Sequence, residues 1–288
     1  MKNKLFDPES LAIILAPELW RIVSSLCDEE VEAVENQRHL AWMVSHMDRH
    51  PAREILVALR GRGFYGFRGR VYPCHPGTIF LFDAYEPHDN YYEPSGPRVR
   101  HLWLRVLEND VLIRILDAEH GRIAQAGKWS GLLSGTEAVA LLTVSWNELA
   151  ANPQLPMPFK KAKIVAALAA ILAHIAGQGY GRDHKPTEQA FTAAVIQTIQ
   201  RHVAQHAGRG IPLGEAARLA GYSKFHFLRL FKQHTGQTYH AYVDACRMQK
   251  SRMMLGDGRP KKEIAETLGF SHPSAFLRWM KLADEFRP

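Results

Sequence analysis

The chain has 288 residues, 46% of them hydrophobic, and a formal net charge of +7, a length that suits about two domains with buried cores. Its three cysteines, Cys27, Cys74 and Cys246, are far apart and form no CxxC pair, which argues against a disulfide framework or a structural zinc site and fits a reducing cytoplasm. The charge is segregated: 15 Lys/Arg and 8 Asp/Glu lie from Thr187 onward, whereas residues 1–186 carry 21 of each sign. A basic block beside a neutral one points to a polyanionic partner for the C-terminal part alone.

In chain order, "LAIILAP" is apolar but short, and Asp7, Pro8, Glu9, Pro17 and Glu18 bracket it. It suits neither a signal peptide nor a membrane span, so a soluble chain is expected. The segment 1–37 reads as helical, with an apolar stripe through Leu19, Ile22, Val23 and Leu26. From Arg38 the texture changes to short β-like runs: "HLAWMVSH", "EILVALRG", "GFYGFRGRVYP", "GTIFLFD" and "VRHLWLRV". Short strands punctuated by Gly and Pro predict a sandwich or barrel over 38–110.

Beyond "LEND" the pattern predicts helices over 111–178, with Ile164, Leu168, Ile171 and Ile175 forming a seam suited to internal packing or to dimerisation. "GQGYGRDHKPTE" reads as a linker centred on 179–186, and 187–288 reads as an all-helical domain.

That last block contains a repeat. "LGEAARLAGYSKFHFLRLFK" and "KKEIAETLGFSHPSAFLRWMK" both run from a helix containing alanine (Ala217, Ala265) through Gly-aromatic-Ser into a basic helix ending at Lys232 or Lys281. A helix-turn-helix needs these types. A small residue lets the second helix cross closely, glycine permits positive φ, Ser caps the next helix, and Pro273 suits its first turn. Between the copies, "TYHAYVDACRMQKSRMMLG" predicts a helix about 27 Å long that spaces the two units by roughly one DNA turn.

These residues resemble the DNA-binding domain of the AraC/XylS family of bacterial transcription regulators, over about 100 residues from Thr187. The resemblance implies two helix-turn-helix units in one monomer, binding double-stranded DNA. On the first recognition helix it assigns Lys224, Phe225, Leu228, Arg229 and Lys232 to the DNA, and on the second Pro273, Ser274, Leu277 and Arg278. Two departures stand out. Lys261 occupies a position that is apolar in the family, and a Gly-x-Thr/Ser-Pro segment after the last Lys is lacking, which implies a shortened or missing final helix.

Glu54 at a strand start, Gly61 and Gly63 at a turn, Pro76-Gly77 before an apolar strand and Pro87-His88 resemble the small cupin-like barrel that many such regulators use for an effector. His50, Glu54 and His88 are then candidate effector contacts, with Tyr91, Trp103 and Arg53 as candidate walls. In the metal-binding pattern of cupin enzymes Asp48 stands where the first His belongs, so no metal, cofactor or catalytic residue is assigned. The implied protein is a cytoplasmic, non-enzymatic homodimer that binds DNA and a small-molecule effector and does not enter a membrane.

Overall fold

The computed structural model describes residues 6–285 except Asp28, 50–51, 90–91, 108–109, 125–128, 182–187, 207–211 and Gly221. The chain divides into two compact units, Met1–Thr187 and Glu188–Pro288.

The first unit runs α1 (Pro8–Ile14), a 3-10 turn (Pro17–Leu19), β1 (Arg21–Ser24), α2 (Gln37–His46), β2 (Met47–Asp48), β3 (Arg53–Arg60), β4 (Gly63–Phe67), β5 (Arg70–Cys74), β6 (Thr78–Phe82), β7 (His88–Asp89), β8 (Val99–Leu107), β9 (Asp110–Glu119), β10 (Arg122–Ile123), β11 (Trp129–Ser134), α3 (Glu137–Ala151) and α4 (Met157–Gly181). A seven-stranded sheet has the order β1-β6-β3-β8-β9-β10, with β11 also on β9, and a four-stranded sheet has the order β2-β7-β4-β5. No ladder joins the two sheets among the described residues.

Side-chain alternation explains the layers. On β3, Ile55, Val57 and Leu59 point toward α1, α3 and α4, while Leu56 and Ala58 point toward the small sheet. On β6, Ile79 and Leu81 join the helical side, and Phe80 and Phe82 meet Tyr65, Phe67 and Tyr72 between the sheets. Both faces of these strands are buried, so they read as continuous apolar runs. Two turns need glycine: Gly61 (φ +85°), whose Cβ would fall 2.2 Å from the Arg98 carbonyl oxygen, and Gly77 (φ +91°) before β6.

Four expectations are corrected. "RIVS" at 21–24 is a strand, held parallel to β6 by the pairs Arg21–Thr78 through Ser24–Leu81, and not part of a long helix. Conversely, residues 37–46 are a helix, because Asn36 Oδ1 accepts the His39 N–H at 3.1 Å and His39 and Met43, four apart, share its buried face. The strands also continue past residue 110: β9 pairs with β8 from Val99–Ala118 to Leu107–Asp110 and with β11, so helices resume only at Glu137. Its apolar residues at 111–113, 115 and 116 fit either period, and pairing decides. Finally, α4 extends to Gly181, through glycines whose composition suggests a linker.

The seam Ile164, Leu168, Ile171 and Ile175 is buried against the unit's own sheet and α3. It is therefore occupied within the chain and offers no dimer surface. Each such side chain contributes about 1.5–3 kcal/mol of apolar transfer.

The second unit is α5 (Glu188–Gln205), α6 (Leu213–Ala220), α7 (Lys224–Thr235), α8 (Tyr239–Gly256), α9 (Lys261–Thr267) and α10 (Pro273–Glu285). The two helix pairs share one turn device. The Tyr222 N–H bonds the Ala217 carbonyl at 2.8 Å, and the Phe270 N–H bonds the Ala265 carbonyl at 2.9 Å. Both alanines are buried where the helices cross. Gly269 adopts φ +76°; Gly221 lies outside the described residues. The caps differ: Ser223 receives the His226 N–H, whereas in the second unit His272, not Ser271, precedes the helix and its Nδ1 accepts the Ser274 N–H at 3.3 Å. Lys261 begins α9 on the surface, leaving Ile264, Ala265, Leu268 and Phe276 to form the local core with Met254.

Candidate nucleic-acid interface and ligand cavity

In α7 the buried side is aromatic. Phe227 and Phe231 are fully buried and meet Tyr239 edge-on at centroid distances of 5.4 and 5.3 Å. The opposite side carries Lys224, Phe225, Arg229 and Lys232, all exposed, with Phe225 at 88%. Leu228 is half-buried at the border. In α10, Phe276 anchors the helix; Ser274, Leu277 and Arg278 are exposed and Pro273 is half-buried. Among the described residues no carboxylate pairs with Lys224, Arg229, Lys232 or Arg278. These cations are thus left to water or to an anionic partner.

Helix α8 contacts both pairs. Its Tyr242 ring meets Phe231 at 5.6 Å, and its Arg247 lies 5.7 Å over the Phe270 ring, while the Trp279 indole N–H reaches Asp244 Oδ1 at 3.3 Å. Eighteen residues of helix therefore set the separation of the two exposed basic faces.

In the first unit, Glu54 and His88 come together between the sheets. His88 Nε2 lies 3.2 Å from Glu54 Oε2, Glu54 Oε1 accepts from Arg105, and the His88 ring stacks on Phe82 at 4.3 Å. Arg53, one residue from Glu54, projects from the other face of β3 and is not a wall of this interior. It bonds Asp83 at 2.8 Å and Asn147 at 2.6 Å and lies over Trp146. His50 and Tyr91 lie outside the described residues. Among those described, no group of three His, Cys, Asp or Glu is arranged to hold a metal.

A cavity of about 210 Å³ opens further along the same interior, between β4, β5 and β7 on one side and β8 and β9 on the other. Glu54, His88 and Trp103 do not line it. Its floor is His101, with Nε2 3.7 Å from Cys74 Sγ and Nδ1 3.2 Å from the Tyr92 hydroxyl, which accepts the Trp103 indole N–H at 3.2 Å. Trp103 thus stands behind the floor. Burial lowers the His101 pKa to about 4 and pushes the Cys74 thiol up to about 12, so both are uncharged at neutral pH. Elsewhere in the lining, the buried His39 sits between Asp89 and Glu93, and the exposed Arg38 bonds Glu93 at 3.0 Å.

Residues 38–138 match the family model of the AraC-like ligand binding domain, and residues 216–283 match that of a helix-turn-helix domain. The chain belongs to the AraC family. Over 238 residues it is 24% identical to the uncharacterized HTH-type transcriptional regulator YfiF of Bacillus subtilis, covering 78% of this chain and 72% of YfiF. Over 90 residues it is 34% identical to the right origin-binding protein of Escherichia coli, 31% of each chain. Over 93 residues it is 28% identical to the HTH-type transcriptional activator Btr of Bacillus subtilis, 32% of this chain and 18% of Btr. The chain thus spans about a third of the length of the origin-binding relative. No solved structure matches the chain significantly.

The matched ligand-binding segment of this AraC-family chain reaches residue 138, consistent with strands that run to Ser134. Its cavity residues His39, Cys74, Tyr92 and His101 were not singled out from the sequence. One signal was present: His101 stands two residues before Trp103 on the same strand and so on the same face.

Proposed function

We propose that this AraC-family chain is a one-component transcription regulator whose C-terminal unit binds double-stranded DNA and whose sheet-rich unit binds a small-molecule effector. Two exposed basic helix faces on one spacer, each with an arginine at the matching place that meets no carboxylate among the described residues, Arg229 and Arg278, carry this reading. Two such faces suit successive major grooves, with guanidinium groups bonding guanine edges or phosphate. Affinity comes mainly from phosphate neutralisation, and specificity from the two recognition helices. The effector shifts the population between arrangements that hold the DNA-binding units in compatible or incompatible spacing. The protein acts in the cytoplasm as a homodimer and catalyses nothing. With the α4 seam buried, exposed Leu141 and Val144 on α3 and Phe159 on α4 are the apolar candidates on the central helices for the subunit contact. No described helix is long and apolar enough to cross a membrane.

Selection of duplexes from a random-sequence pool by the full chain, followed by salt titration, tests the reading. A motif with two half-sites about one turn apart supports it. A single short motif assigns base reading to one unit, and binding without a motif overturns the sequence-specific regulator.

A further inference from the structure

One acceptor in the cavity lining is left over. Asp89 lines the cavity and is almost fully buried. Its Oδ2 takes both the His39 ring nitrogen Nε2 at 2.8 Å and the Gly66 N–H at 2.6 Å. Its Oδ1 is buried too and has no hydrogen-bond partner among the described residues. A buried carboxylate oxygen without a donor is costly, and an entering N–H removes that cost.

The charges around the cavity select the kind of donor. Three carboxylates, Asp89, Glu93 and Glu119, line it against two cations, Arg38 and His39. Burial disfavours the charged form of His39, but its bonds to Asp89 and Glu93 outweigh this and raise its pKa. Both cations are already committed, His39 to Asp89 and Glu93, and Arg38 to Glu93. Glu93 also accepts the Ser95 hydroxyl at 2.6 Å. Glu119 is exposed at the end of β9 and forms no ion pair among the described residues. His101 and Cys74 add no charge at neutral pH, because burial keeps both uncharged. With both cations charged the lining therefore keeps one negative charge in excess, which a single positive charge balances. An anion would meet three carboxylates and no uncommitted cation. The remaining wall is apolar, through Phe64, Pro97, Val99 and Ala118. The space of about 210 Å³ exceeds the roughly 150 Å³ that encloses benzene.

We propose that this cavity, between β4–β5 and β8–β9, takes a small organic ammonium ion with an apolar body about the size of one ring, its N–H groups on the Asp89 side and its ring against Pro97 and Val99. The assignment deepens, and rests on, the effector-binding reading of this domain.

Calorimetric titration of the full chain at neutral pH with three compounds that share one ring tests it. Benzylamine, protonated under these conditions, is expected to bind about tenfold tighter than benzyl alcohol, which offers a donor without a charge. Benzoate is expected to bind at least about tenfold more weakly than benzylamine. Asp89→Asn keeps the side-chain shape and removes the charge, and is expected to erase the preference for the amine over the alcohol. Should Asp89→Asn not fold by circular dichroism, the exposed Glu119→Gln decides: it is expected to lower amine affinity about threefold and to leave alcohol affinity unchanged. Equal binding of benzyl alcohol, preference for benzoate, or no binding of benzylamine would each overturn the inference. So would an unchanged preference in folded Asp89→Asn or, where that variant does not fold, an unchanged amine affinity in Glu119→Gln. DNA selection, run in parallel without ligand, separates the two claims. Specific DNA binding without amine binding overturns the ligand assignment alone, whereas amine binding without a DNA motif supports it and overturns the regulator.

Discussion

His39 Nε2 lies 2.8 Å from Asp89 Oδ2 with both side chains almost fully buried, and Nδ1 of the same ring faces Glu93 at 3.2 Å. Burial alone would lower the imidazole pKa, but the two carboxylates outweigh it and raise it above 6.5. A raised folded-state value means that this stabilisation is fully present below about pH 6.5 and is lost as pH rises through the folded pKa. His39→Gln is expected to cost about 3 kcal/mol near pH 6, because the buried Asp89 carboxylate loses its countercharge. The cost shrinks at higher pH. Urea unfolding of the wild type and variant at pH 6 and pH 9 measures it.

His101 has the opposite slope. Its pKa falls from 6.5 to about 4 on burial, so the unfolded chain takes up its proton first. The resulting stability is present above pH 6.5 and is lost between there and pH 4, by about 3 kcal/mol. Acid titration of stability in His101→Gln is expected to lack this part of the loss; an identical acid slope would refute it.

Phe225 is 88% exposed and makes no ring contact with the core pair Phe227–Phe231. Phe225→Ala should therefore change unfolding stability by less than about 0.5 kcal/mol. On a selected DNA site it should weaken binding about tenfold and relax preference at one base position. A large stability loss with normal DNA affinity would make Phe225 a packing residue.

Among the described residues Arg229 and Arg278 have no carboxylate partner, so neutralising them frees no described buried acid. Arg229→Ala and Arg278→Ala should each reduce DNA affinity about tenfold or more. A phosphate contact lowers the salt slope by about one, whereas a base contact relaxes specificity at its position. Binding measured at several salt concentrations on matched and mismatched sites distinguishes the two.

Ser223 Oγ accepts the His226 N–H at 3.3 Å and begins the recognition helix. Ser223→Ala should cost about 1 kcal/mol, read by thermal unfolding. Ser271→Ala should cost much less, because His272 supplies the corresponding cap.

The helical half was readable because its determinants are local. Ala217, Tyr222 and Ser223 close a turn through contacts a few residues apart, and the repeat at Ala265 and Phe270 uses the same bond. The extra residue before α10 shifted only the cap, from Ser271 to His272. In the sheet-rich half the misread segments were those whose partners are distant. β1 is a strand because it lies on β6, more than fifty residues away, and β9 because it pairs with both β8 and β11. Apolar residues at 22–23 and 111–116 satisfy helix and strand periods alike. Glu54 and His88 do meet, but the cavity lies beyond them, and of the effector contacts and walls named from sequence Trp103 bonds the His101–Tyr92 cluster.

The amino-acid sequence by itself determined the division into a neutral and a basic part, the two helix-turn-helix units and the small residues at their crossings. Charge composition and i to i+5 turn chemistry need no knowledge of distant partners. Tertiary structure alone decided which apolar runs became strands, which face of β3 took Glu54 and which Arg53, and that the α4 seam faces inward. It also decided that His101, Tyr92 and Cys74 meet around one space. These outcomes depend on strand register, where one residue's shift reverses every face, and register is set by the summed pairing and burial of the whole sheet.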